Sequence, residues 1–124
     1  MTETGNSKPY DLEDRTLAFA KKVREFVKKL PKTIANIEDI RQLVRASGSV
    51  GSNYIEANES LGEKDFVMRI RICRKEAKES RFWLRLVGTG SKTDLEKERK
   101  ELEKKSHRTY EYFWIYSSQK RIKF

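Results

Sequence analysis

The chain has 124 residues and carries 28 Lys+Arg against 19 Asp+Glu, a formal net charge of +9. That length fits one domain, and a lone cysteine, Cys73, excludes an internal disulfide framework and points to a reducing cytoplasm. No apolar run is long enough to span a bilayer, residues 1–10 are too polar for a signal peptide, and six Phe, five Tyr and two Trp argue against disorder despite 38% charged residues.

Residues 1–10 read as a flexible lead-in to four helical segments. Asp11 is a candidate N-cap, with Glu13 and Asp14 in the first turn where the helix dipole favours anions. Leu12, Phe19, Val23, Phe26 and Leu30 share one face of the first helix, and Pro31 stops it. Thr33 is placed to cap a second helix whose inner face carries Ile37, Ile40, Leu43 or Val44, Ser47, Val50, Tyr54 and Ala57, with Gly62 at its end. The third helix has the cleanest pattern: Phe66, Ile70, Cys73, Ala77, Ser80, Leu84 and Val87 step by four and three along one seam. Gly88-Thr89-Gly90-Ser91 breaks it, and Thr93 with Glu96 predicts a capping box for the fourth helix. That helix carries Leu95, Leu102, Thr109, Phe113 and Tyr116 and loosens over 118–124. Four long helices on short loops predict an all-α, antiparallel up-and-down four-helix bundle, one domain spanning 1–124.

The third helix has more apolar surface than one core needs. At about 100° per residue, Met68, Ile72, Trp83 and Leu86 form a second stripe, with Phe82 at its edge. Near the end of the fourth helix, Tyr110, Tyr112, Phe113, Trp114, Ile115 and Tyr116 point in nearly every direction around the axis. Both features predict a homo-oligomer whose interface uses Met68, Ile72, Trp83, Leu86, Tyr112, Trp114 and Tyr116.

The positive charge is uneven. Residues 33–62 carry two bases (Arg41, Arg45) against four acids, whereas residues 63–87 carry eight bases against four. Arg74, Lys78, Arg81 and Arg85 lie along one flank of the third helix, with Arg71 beside them, and Lys21, Lys22, Lys28 and Lys29 crowd the first. Arginine matches phosphate because its planar fork donates two parallel hydrogen bonds. The pattern predicts binding to RNA or DNA without sequence specificity, since no groove-reading motif is present. The alternative is an oligomeric scaffold whose basic surface meets an acidic protein.

Little suggests catalysis or a cofactor. His107 stands among Lys104, Lys105 and Arg108 without a second ligand at metal-binding spacing, and Cys73 occupies a seam position as a small hydrophobe. Ser47-Gly48-Ser49-Val50-Gly51-Ser52 lacks the Gly-Lys-Ser/Thr ending of a phosphate loop, so its glycines predict close approach of a neighbouring helix. Asn53, Glu56, Glu59 and Ser60 cluster, and their carboxylates are expected to pair with arginines of the next helix. The expectation is a protein that is not an enzyme.

Three stretches, Arg45–Glu59, Lys64–Ile70 and Arg74–Leu84, resemble a bacterial four-helix-bundle family. Some of its members are encoded within intervening sequences of large-subunit ribosomal RNA genes, and it includes the accessory variability protein of diversity-generating retroelements. The resemblance extends over about residues 10–117, with Ser52 standing where a small apolar residue is expected. It implies a homopentameric, barrel-like ring and, in the retroelement relatives, a basic surface that binds nucleic acid and contacts a reverse transcriptase. It implies no catalytic residues.

Overall fold

The computed structural model describes residues 11–123, with side chains as far as Ser117. The predicted lead-in at 1–10 and the side chains of the predicted loose end at 118–124 lie outside the described residues. Four helices form, α1 (Leu12–Val27), α2 (Ile34–Asn58), α3 (Glu63–Leu86) and α4 (Thr93–Lys123), and no strand occurs among the described residues. α2 packs on α3, α3 on α4, and α1 against both α2 and α4, so each helix touches two others.

Local chemistry sets the helix ends, though not always through the expected groups. The Thr33 hydroxyl accepts from the Asn36 N–H at 3.1 Å, as its position predicts. Asp11 sits at the α1 N-cap without a side-chain cap bond. At the other end of α1, the Lys32 ammonium donates to the carbonyls of Val27, Lys28 and Leu30, the first of which also accepts from the Leu30 N–H. The capping box expected of Thr93 and Glu96 does not form, because Glu96 is already engaged. Its carboxylate accepts from the Thr89 hydroxyl and from Arg99, whose guanidinium also donates to the Val87 carbonyl at 2.8 Å. Those bonds close the α3–α4 turn, where Gly90 and Ser91 have φ of 72° and 63°.

The buried face of each helix follows its periodicity, and the core divides into two clusters. One is aliphatic with two phenylalanines: Phe19, Val23, Phe26, Val27, Leu30, Leu43, Leu84, Val87, Leu95 and Leu102. The other, built on Leu12, Val50, Tyr54, Ala57, Ile70, Cys73, Ala77 and Phe113, is edged by Phe66, Tyr110, Tyr112 and Tyr116. Buried small residues lie along the same faces, including Ala46, Ser47, Ser80 and Ser106. Ser106 donates across to the Ala77 carbonyl at 2.6 Å, holding α4 close to α3. Gly51 serves α1 in the same way, since a Cβ there would stand 2.8 Å from Thr16 Oγ1. Ile37, expected inside, is exposed because Asn36 takes the inward position beside it. The Asn36 amide donates to the Pro31 and Gly88 carbonyls and accepts from the Gly88 N–H, all within 2.9 Å, tying the two turns together.

Candidate nucleic-acid interface

Arg81, on the basic flank of α3, meets α4 across a groove of about 490 Å³. Arg81 from α3 and Lys100, Lys104, His107 and Arg108 from α4 line it, with Glu103 and Glu111 as its only acids. Glu111 lies 3.3 Å from His107 Nε2, and Glu103 reaches toward Arg99 at 4.0 Å. Both acids are thus directed at partners other than the arginines and lysines of the groove. Arg81 is half-buried, and its Nε has no acceptor.

Arg74 extends this face. Its guanidinium lies 3.9 Å over the Trp114 ring and donates to Ser117 Oγ at 3.3 Å. A cation over an aromatic face is attracted by the ring quadrupole, so Trp114 fixes Arg74 at the surface. Arg71, Lys78 and Arg85 are exposed on the same helix. Of the five candidates on α3, Arg81 lines the groove and Arg74 meets α4, while the other three lie exposed on the same helix. Lys100, Lys104 and Arg108 were not among the candidates; their steps of four are the signal that would have found them.

The candidates on α1 and in its following turn have a different setting. Lys28 pairs with Glu25 at 3.2 Å and Lys29 with Glu98 at 2.7 Å. Lys21 and Lys22 line a groove of about 530 Å³ with Lys97 and Lys105, opposite Glu25, Asp94, Glu98 and Glu101. Its charges balance.

The interface candidates divide as well. Trp83 is half-buried against the aliphatic cluster, and Tyr112 and Tyr116 against the aromatic one. Of the rings at the end of α4 the core covers Phe113 fully and Tyr110, Tyr112 and Tyr116 in part, whereas Trp114 stays outside it, as expected of a single core. The small Ala57, Cys73 and Ala77 leave room, and Tyr110, Tyr112, Phe113 and Tyr116 all pack inward. Ile72 is half-buried, whereas Met68 (48%), Phe82 (56%) and Leu86 (51%) on α3 and Ile115 on α4 remain exposed. Trp114 belongs with the basic residues through Arg74.

The remaining reactive groups have structural settings. Cys73 is fully buried, and burial pushes its thiol up to about 12, which disfavours the nucleophilic thiolate. Asn53 accepts from Arg69 at 3.2 Å, while Glu56 and Glu59 are exposed and pair with no arginine among the described residues. Glu76 is buried with Lys75 Nζ at 3.8 Å, and its Oε1 has no hydrogen-bond partner. No group of three or more His, Cys, Asp or Glu side chains able to hold a metal occurs among the described residues. No described helix is long and apolar enough to cross a membrane.

Residues 10–111 match the family described as 23S rRNA-intervening sequence protein. The chain belongs to that family. A similar fold occurs in the crystal structure of a protein of the S23 ribosomal protein family from Bacteroides thetaiotaomicron. The TM-score is 0.75 at 21% identity, covering 89% of this chain and 97% of that one. At that identity the likeness establishes the shared helical fold. No curated protein matches. The family match takes in α1, α2, α3 and the part of α4 that lines the groove, so the basic face lies within the family's own span.

Proposed function

We propose that this intervening-sequence family protein is a non-enzymatic, self-associating bundle, its helices antiparallel in up-and-down order, that binds nucleic acid through the α3–α4 groove. The observation that carries the reading is that Arg81 of α3 and Lys100, Lys104 and Arg108 of α4 share one groove whose two acids, Glu103 and Glu111, lie toward Arg99 and His107. Natural surfaces interleave opposite charges, so an uncompensated strip favours a polyanion. Binding is by phosphate contact and counterion release, without base readout, and the Arg74–Trp114 pair adds an aromatic surface of the kind on which bases stack. RNA is the first candidate given the family's description; a reverse transcriptase is a partner only by the likeness to retroelement accessory proteins.

Self-association rests on Met68, Phe82 and Leu86, three large apolar side chains about half exposed on α3. We place the assembly as a pentamer in the cytoplasm. Titrating a fluorescent 20-nucleotide RNA at 50 and 200 mM salt tests the binding reading. Binding should weaken by at least tenfold over that range, and absence of binding at 50 mM salt overturns it. Sedimentation of Leu86→Glu against wild type tests assembly: a wild type that is already monomeric at micromolar concentration removes that half of the reading.

A further inference from the structure

A second, smaller cavity lies between α1 and α4. It has a volume of about 130 Å³ and is lined by Arg15, Ala18, Phe19 and Lys22 of α1 and by Lys105, Arg108 and Thr109 of α4. Four of its seven described lining residues are cations, and none of the seven is an acid. None of the four has an ion pair among the described residues. Arg15 is held by the Tyr112 ring, 4.6 Å from its guanidinium carbon, so that cation is already positioned. The Thr109 hydroxyl donates to the Lys105 carbonyl at 2.8 Å and does not neutralise the site.

The neighbouring groove makes this composition informative. It uses the same two helices, and there four lysines face four acids. Two of those lysines, Lys22 and Lys105, also line the smaller cavity, where with Arg15 and Arg108 they border a space of molecular size that no described acid lines. These four side chains are exposed, and the positive potential they raise together favours an anion most at low salt. Planar guanidinium forks from Arg15 and Arg108 suit a tetrahedral oxyanion, and Lys22 and Lys105 add point charges.

We infer that the cavity between α1 and α4 is a phosphate-binding site built from Arg15, Lys22, Lys105 and Arg108. The phosphate is either one carried by a nucleic-acid strand or one on a small phosphorylated molecule. The site does not require the α3–α4 groove to bind nucleic acid, although Arg108 lines both.

The test compares the full-length wild type with Arg15→Gln/Lys22→Gln/Lys105→Gln, three positions outside the α3–α4 groove, after circular dichroism has shown both folded. In phosphate-free buffer, millimolar pyrophosphate should raise the wild-type melting temperature by about 4 °C or more above sodium chloride at equal ionic strength. The variant should lose that difference and, without ligand at low salt, should melt no lower than wild type, because mutual repulsion has been relieved. An equal rise with chloride and pyrophosphate, or an equal response in the variant, overturns the site. A single-substituted Lys105→Gln protein supplies the same reading should the triple variant fail to fold. Titration with 5′-phosphorylated and 5′-hydroxyl RNA of one sequence separates the sources. Tighter binding of the phosphorylated strand, lost in the variant, assigns the phosphate to a strand end, and equal binding with a retained pyrophosphate response assigns it to an internal or small-molecule phosphate. Loss of RNA binding in Arg81→Gln/Lys104→Gln with pyrophosphate binding intact shows the two sites to be separate.

Discussion

The two grooves that flank α4 are alike in size and unlike in charge. On the α1 side, Lys21, Lys22, Lys97 and Lys105 meet Glu25, Asp94, Glu98 and Glu101. On the α3 side, Arg81, Lys100, Lys104 and Arg108 meet only Glu103 and Glu111, both directed at other partners. The lysine-rich first helix and the arginine-rich third helix look equally promising when each is considered alone. What separates them is the face of α4 that each one meets. A basic helix makes a basic surface only where the helix across the groove does not answer it.

Charge reversal breaks the comparison most directly. Arg81→Glu/Arg108→Glu should weaken RNA binding by about a hundredfold at 100 mM salt. The slope of log affinity against log salt should flatten by about 0.7–0.9 for each phosphate that is no longer neutralised. Lys21→Glu/Lys28→Glu, the same change in charge beside the balanced groove, should cost less than about threefold. Equal losses measured by fluorescence anisotropy would mean that overall charge decides binding.

Asn36 separates folding from binding. Its amide makes three hydrogen bonds away from both grooves, so Asn36→Ala should lower stability in urea unfolding by about 2–4 kcal/mol. RNA affinity of the folded variant should be unchanged. A large loss of affinity would show that the groove depends on the tie between the turns.

Removing acids sharpens the comparison from the other side. Glu98→Gln/Glu101→Gln unbalances the α1–α4 groove and frees Lys29, so RNA binding should strengthen by about threefold to tenfold at low salt. No gain would show that cations without the groove geometry of α3 are insufficient.

The smallest expected effect concerns acid stability. The Thr89 hydroxyl, followed by Arg99, holds the Glu96 carboxyl below the usual glutamate range. Its contribution is present above the ordinary glutamate pKa of about 4.3 and is lost as pH falls through the lowered value. Thr89→Val should therefore be slightly less stable at pH 7 and lose less stability as pH falls below the ordinary glutamate pKa of about 4.3 in urea unfolding. Its RNA affinity, measured at neutral pH, should match that of wild type, which confines this network to the turn.

The fold was legible because helical order is local. Spacing placed Phe26, Ile70, Leu84 and Phe113 in the core, and all four are fully buried. Thr33 could be identified as a cap because its partner is only three residues away. Glu96 could not be assigned, because Thr89 and Arg99 compete for the carboxylate that the capping box requires. Which rings of α4 the core covers was hidden for a related reason. Whether Tyr112 and Tyr116 are covered depends on the small residues opposite, which lie on other helices.

The candidate site shows the same division. Sequence alone determined the four helices, their buried faces, the basic flank of α3 and the uneven +9. Tertiary structure decided which cations find acids, bringing Lys29 to Glu98 while giving Arg81 the company of Lys100, Lys104 and Arg108. It also placed Arg74 over Trp114 and brought Arg15 and Arg108 to one cavity. Helix periodicity orients a side chain about its own axis, but the field at a surface is summed over every helix facing it, and that sum exists only once the helices are packed.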